Sequence, residues 1–237
     1  MSTLSGGQGN IITNGLVLRL DAANPRSYQS GSLIWNDLSG NGNNGTLTNG
    51  PSFTTSGSGA IVFDGVDDYI IENSSINTGQ NFSIFAWIKP GNINVRNAIM
   101  GNSYPYSAAT GWYFATATGY GGTLNTFFVS CGSDNAYMTA ANSSITLNTW
   151  NFVVGVVTNG GQDIKLYVNG NETLYFGGIL AANTLIYNNN EFNVGRRYSN
   201  STEPFIGTIA QTLIYNRALT QSEIQQNFNA TRARFGI

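Results

Sequence analysis

Phe82-Ser83-Ile84-Phe85-Ala86-Trp87-Ile88-Lys89-Pro90 alternates with a period of two. Phe82, Ile84, Ala86 and Ile88 fall on one side of a strand, and Ser83, Phe85, Trp87 and Lys89 on the other. Aromatic residues on the second side argue that it too is covered. Two stretches precede this strand: Trp35-Asn36-Asp37-Leu38-Ser39-Gly40-Asn41-Gly42-Asn43-Asn44-Gly45-Thr46 and Phe63-Asp64-Gly65-Val66-Asp67-Asp68-Tyr69-Ile70. Both are rich in Gly, Asn or Asp, residues that accept the positive φ angles of tight turns. A fourth stretch, Ile214-Tyr215-Asn216-Arg217-Ala218-Leu219-Thr220, closes the set.

Working outward, strands are expected at Leu16–Asp21, Gly45–Thr48, Ala60–Phe63, Asp68–Ile71, Ala98–Gly101, Trp112–Thr116, Thr123–Cys131 and Tyr137–Ala140. Trp150–Thr158 and Asp163–Val168 read as a hairpin around Asn159-Gly160-Gly161, and Asn169-Gly170-Asn171 leads into a second hairpin with Glu172–Phe176. Phe192–Val194 and Phe205–Tyr215 complete the sheets. Trp87 and Trp150 sit in strand patterns and read as core. Thr220-Gln221-Ser222-Glu223 has the form of a capping box, which predicts one helix from Gln221 to about Thr231 with Ile224 and Phe228 packed inward. Short strands, Gly/Asn turns and no βαβ alternation describe an all-β, two-sheet antiparallel sandwich with one short C-terminal helix.

The 237 residues suit a single sandwich domain. Only 9% are charged, against roughly 25% in an average domain. Asn, Ser, Thr and Gly take the place of charge. The net charge of −2 and ten scattered basic residues form no phosphate-binding stripe, so nucleic acid is not an expected partner. There is no apolar run long enough to span a membrane. Met1–Asn14 is polar and Gly-rich, without the pattern of a signal peptide, and reads as a flexible or attaching arm ahead of a domain at 15–237. The single cysteine, Cys131, cannot form an internal disulfide and reads as a small buried side chain.

Leu20-Asp21-Ala22-Ala23-Asn24-Pro25, Asp37 to Thr46, Phe63 to Ile70 and Ile214 to Thr220 with Glu223-Ile224, in this order, resemble the laminin-G-like group of the concanavalin A-like lectin/glucanase superfamily. The resemblance spans roughly Leu16 to Arg234 and implies a jelly roll that binds carbohydrate or protein, often with a structural Ca²⁺. The opening Gly15-Leu16-Val17-Leu18, followed by Leu20-Asp21-Ala22-Ala23-Asn24-Pro25, is similar to tailed-phage and marine viral proteins. It implies a virion surface component such as a fibre, tail or capsid decoration, extracellular adhesion being the alternative. The arm would then join other virion or surface proteins in an oligomeric assembly.

The resemblance also implies where a metal would sit: Asp37, Asn41 and Asn43, with Gln211 second. At Gln211 relatives often carry an acid and this chain has an amide. The alternative is that these residues only shape Asx-turns, and for Asp64, Asp67 and Asp68 the turn reading is the stronger.

A glucanase of this fold is expected to show Glu-x-Asp-x-x-Glu or something close, because residues two apart on a strand share a face. Glu72, Glu172, Glu191, Glu203 and Glu223 form no such pattern, and the chain has no histidine. The reading is therefore a non-enzymatic structural and adhesive surface protein with a lectin-like fold. The alternatives are a carbohydrate-binding module of an adhesin and, further off, a glycoside hydrolase. Glycan contacts are expected from loop aromatics and amides: Tyr104, Tyr106, Trp112, Tyr120, Asn135, Tyr137 and Tyr198. The alternative for these aromatics is that they plug the ends of the sandwich.

Overall fold

The computed structural model describes residues 10–72, 76, 78–91, 96–102, 111–117, 126–131, 136–141, 144–179, 191–198 and 203–237. The strands, in chain order, are β1 (Leu16–Asp21), β2 (Ile34–Trp35), β3 (Gly45–Thr48), β4 (Ser52–Thr54), β5 (Ala60–Asp64), β6 (Tyr69–Glu72), β7 (Phe82–Pro90), β8 (Asn97–Gly101) and β9 (Trp112–Ala117). They continue with β10 (Thr126–Cys131), β11 (Ala136–Ala140), β12 (Asn151–Thr158), β13 (Asp163–Val168), β14 (Asn171–Glu172), β15 (Tyr175–Ile179), β16 (Phe192–Val194) and β17 (Ile206–Tyr215), and then one helix, α1 (Gln221–Thr231). One sheet has the order β14-β13-β12-β7-β17-β5-β4, with β1 also paired to β17. The other has the order β15-β11-β10-β9-β8-β16-β6-β3-β2. The pairings are antiparallel in both, as the alternation and turn chemistry predict.

The inner faces of the two sheets enclose the main core. Phe82, Ile84, Ala86 and Ile88 of β7 lie in it with Trp112, Phe114, Phe127, Val129 and Phe192. The sheets approach closely at Gly155 of β12, where a Cβ would collide with Val129. A side chain there would force the layers apart.

The other side of β7 is covered too. Phe85 and Trp87 join Phe152, Leu213 and Tyr215 beneath Ile224 and Phe228 of α1. The Trp87 ring stacks 3.9 Å from Phe235, and its Nε1 donates to Thr231 Oγ1 at 2.8 Å. Trp150 is part of the same layer, 4.8 Å from Phe235. Helix α1 starts as expected: Thr220 Oγ1 accepts from the Glu223 backbone N–H, and Glu223 Oε2 accepts from the Thr220 N–H. Arg217 donates twice to the same carboxylate and, with the cap, holds the Glu223 carboxyl down at about 2.

Residues 10–14 are tied to this layer. Ile12 N donates to Asn227 Oδ1 at 2.8 Å, Tyr215 Oη donates to Ile12 O at 2.8 Å, and Gln226 Nε2 donates to Asn10 O at 2.7 Å. From Asn10 onward the expected arm is packed against the domain, with Ile11 buried.

Two details depart from the sequence reading. Glu172–Phe176 is not one strand. β14 pairs with β13 in one sheet, the chain crosses at Thr173-Leu174, and β15 pairs with β11 in the other. Strands β2 and β4 have two and three residues, too few to show a period.

Candidate functional site

The Gly/Asn-rich loop after β2 is organised around Asp37. Its Oδ1 accepts from Arg19 N at 2.9 Å and Ser39 N at 2.8 Å. Its Oδ2 accepts from Ser39 Oγ at 2.6 Å and Asn43 N at 3.1 Å. Asn41 Nδ2 and Asn43 Nδ2 both donate to Val17 O, at 3.3 and 2.7 Å. The loop is thus pinned to β1 by backbone and amide donors. Gln211 lies elsewhere: it is buried in register with Asp21, and its Nε2 donates to Asp21 Oδ2 at 3.0 Å.

Calcium needs six to eight converging oxygens. Asp37 has both carboxylate oxygens engaged by N–H and O–H groups, Asn41 and Asn43 point amide N–H groups at the backbone of β1, and Gln211 meets a different carboxylate. In this structure Asp37, Asn41 and Asn43 make the hydrogen bonds of a turn tied to β1, and Gln211 is paired with Asp21. Thermal unfolding is accordingly expected to be unchanged by EGTA. A midpoint that drops by several degrees on chelation would show that an ion is held tightly.

Among the described residues, the carboxylates that do converge are Asp64, Asp67 and Asp68, with oxygens within 4.8 Å of one another. The hydrogen bonds here are those of a turn. Asp68 Oδ2 accepts from Asp64 N at 2.9 Å, and Asp64 Oδ1 accepts from Val66 N at 2.7 Å. Burial raises the Asp68 carboxyl above its ordinary range, the Asp64 N–H lowers it, and the neighbouring Asp64 and Asp67 charges raise it further.

Of the expected ligand contacts, Tyr104, Tyr106, Tyr120 and Asn135 lie outside the described residues. Tyr137 sits on β11 opposite Ser130. Tyr198 follows β16 and is half-buried. Trp112 is corrected: it is fully buried in the main core, 5.3 Å from Phe82 and 6.0 Å from Phe192. The residue with the opposite parity, Tyr113, stands on the outer face of the nine-stranded sheet.

That outer face carries a compact layer which the sequence reading did not assemble. Tyr113 and Phe128 meet edge to face at 5.2 Å. The Arg197 guanidinium lies 4.0 Å from the Tyr113 ring centroid, and Arg96 lies 5.9 Å from Phe128. Arg96 Nη1 also donates to Tyr113 Oη at 3.3 Å and pairs with Glu203 at 3.6 Å. Beside it Asn193, in register with Gly101, is fully buried and its Oδ1 has no hydrogen-bond partner. The Arg196-Arg197 dipeptide was the one signal available in the sequence, but the rest of the layer, Arg96, Tyr113, Phe128 and Glu203, comes from four other segments.

The chain's likeness to known proteins follows this geometry. Residues 63–225 match the family described as the concanavalin A-like lectin/glucanases superfamily, which is more than half the chain. The chain belongs to the concanavalin A-like lectin/glucanase superfamily. No curated protein matches it. Among solved structures it resembles domain 4 of AbnA, an extracellular GH43 arabinanase from Geobacillus stearothermophilus, in complex with arabinotriose. The identity is 20%, the TM-score 0.64, and the match covers 90% of this chain and 97% of that one. The binding domain of Paraclostridial Mosquitocidal Protein 1 matches at 18% identity and TM-score 0.66, covering 92% of this chain and 52% of that one. A Trypanosoma rangeli sialidase in complex with sialic acid matches at 16% identity and TM-score 0.59, covering 95% of this chain and 34% of that one. The chain therefore spans about half the length of the toxin binding domain, and at these identities the structural likeness shows a shared fold alone.

Within a superfamily of lectins and glucanases, the carboxylates are informative. Glu223 is engaged by the helix cap and Arg217, Glu203 by Arg96, and Glu172 accepts from Tyr175 Oη at 2.9 Å. Glu72 is buried in register with Phe192. Burial pushes the Cys131 thiol up to about 12, so it is not a thiolate at neutral pH. No helix among the described residues is long and apolar enough to cross a membrane.

Proposed function

We propose that this protein is a non-catalytic, adhesive glycan-binding module that holds its ligand over the outer face of the nine-stranded sheet, around Tyr198, Arg96 and Arg197. The observation that carries this reading is the cation–aromatic layer of Arg96, Arg197, Tyr113 and Phe128. Tyr113, Phe128 and Arg197 are themselves buried, so the layer is a rigid base that fixes the half-buried Arg96 and Tyr198 at the surface, a guanidinium donor and an aromatic ring of the kinds that sugar recognition uses. The similar arabinanase domain in complex with arabinotriose supports the ligand class. The structural engagement of Glu72, Glu172, Glu203 and Glu223, and the turn hydrogen bonds that hold Asp64 and Asp68, support binding without hydrolysis, since glycoside cleavage requires two carboxylates aimed at one bond.

The finer assignment, a surface component of a phage virion or another extracellular assembly, rests on the opening Gly-Leu-Val-Leu and Leu-Asp-Ala-Ala-Asn-Pro segments. Electron microscopy of the native assembly tests it.

A glycan array followed by calorimetry on arabino-oligosaccharides tests the ligand reading. Retention of at least one glycan is expected, with Tyr198→Ala weakening it by about 3–10-fold, as for loss of one aromatic contact. No glycan retained, or unchanged affinity in Tyr198→Ala, would overturn the assignment. So would hydrolysis of a bound glycan that one carboxylate substitution abolishes.

A further inference from the structure

A second feature lies on the other sheet, beyond the glycan reading. The segment Asn10–Thr13, strand β1 and the C-terminal end of α1 border a cleft of about 520 Å³. Arg19, Asp21 and Arg234 are its charged lining residues, with Asn10, Thr13 and Thr231 among the others. A smaller cleft of about 340 Å³ adjoins it, sharing Asp21 and Arg234.

Asp21 is nearly fully buried, and its charge is well compensated. Arg234 Nη1 donates to Oδ1 at 2.9 Å, Ala23 N donates to Oδ1 at 3.2 Å, and Gln211 Nε2 donates to Oδ2 at 3.0 Å. Arg234 is further fixed by donation from Nη2 to Gly57 O at 3.3 Å. Arg19 reaches Asp21 only at 3.5 Å. Two guanidiniums thus face one carboxylate, leaving an excess positive charge that the lining does not offset. The Nε–H groups of both Arg19 and Arg234 are buried and have no hydrogen-bond partner. A buried donor without an acceptor is costly, and a planar guanidinium edge with free N–H groups matches the paired oxygens of an oxyanion.

We propose that this cleft binds a small oxyanion, a carboxylate or a tetrahedral phosphate or sulfate, between Arg19 and Arg234. Asp21 acts as the internal counter-charge that orients Arg234, and Arg19 supplies the positive charge left for the ligand. The site is built by both ends of the domain, since Arg19 lies on the first strand and Arg234 follows the helix.

The test is titration of the full chain with acetate, inorganic phosphate and sulfate in turn, at fixed ionic strength made up with chloride. The Arg Nε–H resonances and the thermal midpoint are followed. At least one of the three is expected to bind saturably and to shift the Arg19 and Arg234 signals. A response to acetate alone assigns a carboxylate ligand, and one to phosphate and sulfate alone a tetrahedral one. Arg19→Gln leaves the Asp21–Arg234 pair in place and is expected to weaken binding about tenfold, as for loss of a charge-assisted hydrogen bond. If Arg19→Gln disturbs the fold by circular dichroism, Arg19→Lys carries the comparison: it keeps the charge, lacks the planar edge, and is expected to weaken binding by a smaller factor. The proposal is overturned if none of the three anions saturates relative to chloride, or if the folded Arg19 variant binds as the native protein does.

Discussion

Trp112→Ala is expected to lower the thermal midpoint by about 6–20 °C, the equivalent of roughly 3–5 kcal/mol for emptying a large aromatic site in a chain of this size. The ring is fully buried between Phe82 and Phe192, so its removal leaves a void between the two sheets. Neighbours cannot close in easily: they belong to paired strands whose spacing is set by the hydrogen-bond ladders. Differential scanning calorimetry reads the effect. Glycan affinity, measured well below the new midpoint, is expected to change little. A variant with native stability and lost glycan binding would show that Trp112 touches ligand after all.

Arg234→Met is expected to cost about 2–3 kcal/mol in urea unfolding. Removing one partner of a buried pair costs about 3–5 kcal/mol when the charge left behind has no other support. Here Gln211 and Arg19 still reach Asp21, which reduces the loss. The Arg234 side chain is also one-fifth exposed, whereas that of Asp21 is 6% exposed. Met keeps the apolar stem beside Phe235. Asp21→Asn in the same chain is expected to recover most of the loss, because the uncompensated charge is then gone. The four-protein cycle isolates the pair. A single variant within ~0.5 kcal/mol of the native protein, as at an ordinary surface site, would show that the pair contributes little.

Much of the fold was legible because local chemistry carried it. The alternation of Phe82 to Lys89 defined β7 and showed that both its faces are covered. The structure supplies the two covers: the opposing sheet for Phe82, Ile84, Ala86 and Ile88, and α1 with Ile11 for Phe85 and Trp87. The Thr220–Glu223 cap defined the helix start through contacts three residues apart. Cys131 read as buried, and it is.

The candidate site was much less legible. Trp112 and Tyr113 are adjacent and both aromatic, and choosing the one that faces the core depends on register with β8 and β10 rather than on composition. Asp37 and Gln211 were grouped by resemblance, yet Gln211 meets Asp21, 190 residues away in the chain. Glu172 to Phe176 looked like one strand, but the hydrogen-bonding partners of its two halves lie in different sheets.

The amino-acid sequence by itself determined the strands, the turns, the helix cap and the family, since each depends on φ preferences, two-residue alternation or contacts within a few positions. The tertiary structure decided which aromatic of a pair is core, which arginine lies over which ring, and which carboxylate faces Gln211. Those outcomes follow from side chains distant in sequence competing for the same buried space and the same hydrogen-bonding groups, and local preference does not encode the winner.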